Sequence, residues 1–236
     1  MGVPLVLLPG LMCDSAIFAP QFDTLSKECP VMIAPVTADS RIETTASTLL
    51  PKLPQRFALV GYDFGGHVAM EILRRAPERV DRICLMSTTP LSDTPGEAAA
   101  REPWIVKAQA NRLDDVLEEV FAPEHYAACA ERGPLVARLR EMAIGLGAEV
   151  FVRQMRALQR RHDYQGTLRR SKGPALILCG AEDPICPPRR HSFVAELMPG
   201  ARLEILEGAG HAPTLEQPDR VTEIWREWLA APFVLC

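Results

Sequence analysis

The 236-residue chain has no apolar run long enough to span a membrane, and no basic segment precedes its first apolar stretch. Neither a transmembrane helix nor a signal peptide is expected. Its Met-Gly start is not followed by the Ser or Thr of a myristoylation signal, because Val6 stands there. It has no excess of positive charge. Its 26 Lys and Arg against 30 Asp and Glu leave a formal net charge of −4, which gives no case for nucleic acid or a membrane as partner. The densest basic stretches, "RQMRALQRRHD" and "LRRSKG", read as solvated faces or salt-bridge partners. There is no CxxC pair. The seven cysteines are scattered, and Cys84 and Cys179 sit inside apolar runs, a usage that fits a reducing, cytoplasmic setting. The five histidines never approach one another at metal-ligand spacing, so no metal is expected. No Walker or Rossmann fingerprint appears, so no organic cofactor is expected either. No internal repeat or low-complexity linker is visible. What remains, 47% hydrophobic and 24% charged, suits one sizeable α/β domain with room for an insertion. Nothing in it bears on oligomeric state.

What is present is an alternation. Six short apolar runs, "PLVLLP" (4–9), "VMIAPV" (31–36), "FALVGY" (57–62), "RICLMST" (82–88), "ALILCG" (175–180) and "RLEILEG" (202–208), lack polar alternation. Both faces of each should be buried, as in a parallel sheet covered by helices. Amphipathic stretches around 15–28, 43–53, 65–76, 188–198 and 215–230 predict helices between them. An open, mostly parallel sheet of about six strands follows. Between 89 and 170 the rhythm breaks into helical segments only, "WIVKAQANRLDDVLEEVF", "GPLVARLREMAIG" and "AEVFVRQMRALQRR". This predicts a core of 1–88 and 171–236 with a helical lid, 89–170, over the carboxyl edge of the sheet.

In such a sheet chemistry belongs at the carboxyl ends of the strands. "LLPGLMCDS" leaves the first strand, and its turn can aim the Leu11 or Met12 N–H into a site. "VGYDFGGHVAM" leaves the third and opens a helix. Its glycines permit a sharp turn that thrusts Asp63 upward beside the Phe64 N–H at a helix N-terminus, where negative charge is favoured. The plain alternative for Asp63 is a helix N-cap. "LILCGAEDPICP" leaves the fifth strand and offers Asp183 or Glu182 to orient a histidine. "LEGAGHAPTLEQPDRV" leaves the last and offers His211. Cys13 and Cys186 fall near these turns without a base of their own.

The order nucleophile, acid, histidine, together with "GYDFGGHVAMEILRRAPERVDRICLMST", "PALILCGAEDPICPP" and "GAGHAPTLEQPDRV", resembles the α/β-hydrolase family over nearly the whole chain. It is most similar to small bacterial enzymes related to 3-oxoadipate enol-lactonase and to simple esterases. The resemblance implies an α/β-hydrolase fold with a helical lid, Asp183 as the triad acid, and oxyanion or leaving-group donors from Phe64, Leu11 and Met12. It also implies that the antiparallel hairpin usual before the first of these strands is missing.

The pattern departs from that of the esterases at its centre, where serine is lacking and Asp63 stands instead. A carboxylate has no proton to lose. It can displace a leaving group from an sp³ carbon, giving an ester that water activated by His211 then hydrolyses. Haloalkane dehalogenases and epoxide hydrolases of this fold work so. The first reading is therefore a hydrolase of a small, largely apolar epoxide, alkyl halide or related substrate. The second is a serine-type ester or lactone hydrolase body whose serine is replaced by Asp63. The third is a non-catalytic binding protein on the same fold. Trp104, as a donor to a halide, and Tyr126 and Tyr164, as donors to an alkoxide, are candidate pocket residues. Flanked by two carboxylates, His211 should hold its proton to higher pH than a free histidine.

Overall fold

A computed structural model describes residues 3–232; Met1 and Gly2, where the comparison with a myristoylation signal begins, lie outside them. Strands β1 (Leu5–Leu8), β2 (Val31–Ile33), β3 (Phe57–Tyr62), β4 (Val80–Met86), β5 (Ala175–Gly180) and β6 (Arg202–Leu206) form one sheet in the order β2–β1–β3–β4–β5–β6. Every neighbouring pair is parallel, and no antiparallel pair occurs among the described residues. The four inner strands are buried at every residue. Each fully buried Leu, Val or Ile there contributes about 1.5–3 kcal/mol relative to exposure.

The two edge strands differ from the expectation of full burial. β2 is only partly buried, and Ile205 of β6 is exposed. An edge strand has a neighbour on one side only, so apolar composition alone does not cover it.

Helices α1 (Ala19–Leu25), α2 (Ile42–Leu49), α3 (Phe64–Arg75), α10 (Pro188–Leu197), α11 (Pro213–Glu216) and α12 (Pro218–Ala230) alternate with the strands. The stretch 215–230 is divided at Gln217, because Pro218 keeps the residue before it out of the helical region. Between β4 and β5 lie α4 (Pro95–Ala100), α5 (Glu102–Gln109), α6 (Leu113–Val120), α7 (Arg132–Leu146), α8 (Ala148–Gln159) and α9 (Gln165–Arg170). The stretch read as one helix from Trp104 to Phe121 is two. Asn111 takes φ 58°, a left-handed conformation that asparagine tolerates and that reverses the chain. No described helix is long and apolar enough to cross a membrane.

Candidate active site

β3 runs fully buried to Tyr62, and the chain then turns at Asp63 straight into α3. Asp63 sits at φ 46°, ψ −112°, a conformation costing about 1–3 kcal/mol in a non-glycine residue. Its backbone is held on three sides. The Asp63 N–H donates to Met86 O at 2.9 Å, and its carbonyl accepts from Gly66 N–H and Thr88 Oγ1, each at 2.9 Å. Gly65 is required by contact: a Cβ there would stand 2.2 Å from Leu8 O, so only glycine lets α3 rest on the end of β1.

The Asp63 side chain makes no capping bond to α3, so the N-cap account does not hold. Its Oδ2 instead accepts from the Leu11 N–H at 2.8 Å, across the sheet end from β1. The Phe64 N–H is the first of α3 and has no acceptor within its own helix. Met12 differs from expectation. Its N–H is spent on Gln154 Oε1 at 2.9 Å, and Gln154 also donates to Val36 O at 3.3 Å. α8 thus braces the turn from outside while Leu11 alone serves Asp63 from it.

After β5, Asp183 is buried and held by backbone. Its Oδ1 accepts from Ile185 and Cys186 N–H, both at 2.9 Å. Its Oδ2 lies 2.9 Å from His211 Nδ1. Glu182 is exposed, so the choice between the two acids falls on Asp183. His211 Nε2 is 3.9 Å from Asp63 Oδ1, beyond hydrogen-bond length. The Asp63 carboxylate therefore has one oxygen tied to a backbone donor and one oxygen facing the imidazole.

Burial opposes a charge on His211, but Asp183, Asp63 and Glu216 outweigh it and raise its pKa to about 9. Burial likewise works against the Asp183 charge, yet His211 and the Cys186 N–H bring its pKa below the usual carboxylate value. The thiols of Cys13 and Cys186 are pushed up, first by burial and then by nearby carboxylates, which removes both as thiolate nucleophiles.

Glu216 escaped the sequence reading. Its Oε1 accepts from Gly210 N–H at 2.8 Å and Ala127 N–H at 2.7 Å, and its Oε2 from Ala212 N–H at 2.7 Å. These bonds grip the residues on either side of His211 and tie them to the segment after α6. The His211 N–H adds a bond to His125 O at 2.9 Å. The one signal was a glutamate five residues past the histidine in "GAGHAPTLEQPDRV", unremarkable without its three partners.

A cavity of about 310 Å³ opens over Asp63 and His211. Trp104 and Tyr126 line it as expected, with Tyr62, whose ring centre is 5.8 Å from that of His211. The indole N–H of Trp104 is engaged by Glu119 Oε2 at 2.7 Å, so it is not a spare halide donor. Tyr164 does not line the cavity; it is buried near Glu71 and Glu43. Its lining also holds residues that the sequence reading did not assign, namely His67, Asp93, Arg101 and Arg161. Arg161 comes from "RQMRALQRRHD", and of the two readings of that stretch, solvated face or salt-bridge partner, it takes the second, because its side chain is only 6% exposed and meets Asp93 at 2.7 Å.

Comparisons with known proteins bear on the family and the fold. A family model described as "Alpha/beta hydrolase family" matches residues 5–224. A pimeloyl-[acyl-carrier protein] methyl ester esterase from Aromatoleum aromaticum is 29% identical, over 75% of this chain and 76% of its own. A thermophilic esterase from Thermogutta terrifontis superposes with a TM-score of 0.88 at 25% identity, covering 97% of this chain and 90% of its own. The enol-lactonase from Burkholderia xenovorans superposes at 0.85 with 23% identity, covering 98% and 93%.

Proposed function

Because the chain belongs to the α/β-hydrolase family, we propose that it hydrolyses a small, largely apolar substrate through a covalent ester on Asp63. The observation that carries this reading is the division of labour between the two Asp63 oxygens. Oδ2 is held by the Leu11 N–H, while Oδ1 faces the cavity 3.9 Å from His211 Nε2. A serine nucleophile would need a hydrogen bond to the imidazole to lose its proton; a carboxylate needs none.

In the first step an Oδ1 lone pair attacks an sp³ carbon, and the carbon–halogen or carbon–oxygen bond breaks with its electron pair on the leaving atom. For an epoxide the new alkoxide takes a proton from the protonated His211 or from Tyr126, which burial keeps in its phenol form. In the second step water attacks Cγ of the ester. His211 Nε2 takes the water proton, and the charge growing on Oδ2 is met by the Leu11 N–H with the Phe64 N–H beside it. Collapse expels the alcohol and restores the carboxylate. The electrostatics suit this order. Alkylation removes the Asp63 charge, one of those holding the proton on His211, so the imidazole becomes a better-matched base when water must be activated. The helices between β4 and β5 act as a lid that keeps bulk water from the ester.

A second reading rests on the relatives, whose names are those of ester and lactone hydrolases. In it the body is of serine type and Asp63 replaces the nucleophile.

Intact-mass measurement after incubation with a panel of epoxides, alkyl halides and activated esters tests the first reading. A stable adduct on Asp63 in the His211→Gln variant supports it, and no adduct from any alkylating substrate overturns it. Asp63→Ser tests the second. Gain of activity on short nitrophenyl esters supports a replaced serine. A folded variant without adduct or gain leaves a binding protein.

A further inference from the structure

Part of the cavity lining carries an uneven charge. Arg101 donates to Asp93 through Nε at 2.7 Å and Nη2 at 3.2 Å. Arg161 Nη1 meets the same carboxylate at 2.7 Å, and its Nε donates to Leu91 O at 2.8 Å. The Asp93 side chain is 1% exposed, so it is one buried carboxylate shared by two guanidiniums. Arg190 lies on the same cavity and forms no ion pair among the described residues. Glu97 lies there too, but its carboxylate accepts from Thr94 N–H and Oγ1. Arg101 and the buried Arg161 therefore share the single carboxylate of Asp93.

A buried excess cation is costly unless an anion completes it. The neighbouring residue asks for the same completion. His67, on α3 one turn past Asp63, lines the cavity and is 4% exposed, and its Nδ1 has no hydrogen-bond partner. Burial and then the positive charges of Arg161 and Arg101 hold it well below the ordinary histidine pKa, so it is neutral. A neutral imidazole beside two guanidiniums can donate to an anion without adding a second excess charge.

We propose that this wall is a subsite for a carboxylate of the substrate, bound by Arg161 and Arg101 with His67 beside them, so that the protein takes molecules with an apolar body and one carboxylate end. The inference rests on the reading of this cavity as the substrate site, and it is independent of how Asp63 reacts.

The test is equilibrium binding by calorimetry, on the protein as it exists, of straight-chain carboxylates from butanoate to octanoate and of the matching primary amides. A carboxylate should bind about 10-fold or more tightly than its amide at the best chain length, as expected for charge-assisted bonds. Arg161→Gln should abolish that preference by weakening carboxylate binding far more than amide binding. Arg101→Gln, at a more exposed position, should reduce it and keeps the test decisive if Arg161→Gln does not fold. Equal affinities, no carboxylate binding at all, or a preference that survives both substitutions overturns the proposal. A carboxylate preference with no adduct on Asp63 overturns the chemistry above and leaves this subsite standing. Alkylation of Asp63 by neutral substrates, with no preference in binding, overturns the subsite alone.

Discussion

The two ends of the cavity hold their charges by different means. At the strand ends, carboxylates are fixed by backbone donors: Asp63 by Leu11, Asp183 by Ile185 and Cys186, Glu216 by Gly210, Ala212 and Ala127. At the end built by the segment between β4 and β5, charges are held mainly by other side chains, as in Asp93 with Arg101 and Arg161 and in Glu119 with Trp104 and Lys107, though Glu97 and Arg161 also meet backbone groups. Backbone N–H groups cannot rotate away, so the first end is preorganised for one geometry. Side-chain pairs can re-pair around an incoming group, so the second suits recognition. The electrostatics follow the same line. His211, among carboxylates, is raised to about 9, while His67, among guanidiniums, is lowered well below 6.5.

The largest effect should come from the preorganised end. His211→Gln removes the base for water attack, and multiple turnover should fall about 10³-fold. The alkyl-enzyme should accumulate in the same variant, visible by intact mass. Full turnover would mean that the two ends had been assigned the wrong tasks.

Glu216→Gln probes whether a backbone clamp governs the chemistry. Glutamine keeps one accepting oxygen and turns an NH2 donor toward the remaining backbone N–H, so at least one of the three bonds is lost and the rest become neutral, and turnover should fall roughly 10-fold. A merely structural residue would stop there. Glu216 also helps to hold the His211 proton, so its loss should move the acid limb of the pH–rate profile, where the base becomes protonated, to lower pH. An unmoved profile would reduce Glu216 to a loop tie.

The two histidines should give stability opposite pH dependences. The His211 pKa is raised on folding from 6.5 to about 9, so its contribution is complete below 6.5 and is lost as pH rises through about 9. The His67 pKa is lowered on folding, so the unfolded chain gains a proton that the folded chain refuses, and stability falls as pH drops below 6.5. Thermal melts against pH should show both limbs, and His67→Gln should weaken the acid limb, to which buried His191, lowered to about 4, also contributes, without moving the alkaline one. Histidine NMR titration would expose any exchange of the two assignments.

The smallest effect belongs to the rim. Lys107 and Glu119 pair at 2.6 Å with both side chains about a third or more exposed, so Lys107→Ala should cost under about 1 kcal/mol by chemical denaturation. A loss of several kcal/mol would show that the helical end is as rigid as the strand ends.

Much of this was legible in the residue order. "FALVGY" and "ALILCG" coincide with β3 and β5 because an inner parallel strand must be apolar on both faces, a local signal. Asp63, Asp183 and His211 were legible because a strand-to-helix turn needs glycines around one polar residue, and because topology brings all three strand ends to one edge. Composition bounded the fold class, and the motif around residue 63 showed an aspartate where the esterase pattern has serine. Which donor each oxygen meets was decided only by tertiary contact. The Leu11 N–H turns to Asp63 while the Met12 N–H beside it is taken by Gln154, 142 positions away. Glu216 gained its role from three backbone groups, one of them in the segment after α6. Arg161, one arginine in a basic run, was drawn inward by Asp93 from 68 positions earlier. Periodicity along the chain reports which face of an element is buried. It carries no information about partners that meet only when distant elements pack, and in this protein those partners set the charge at each end of the cavity.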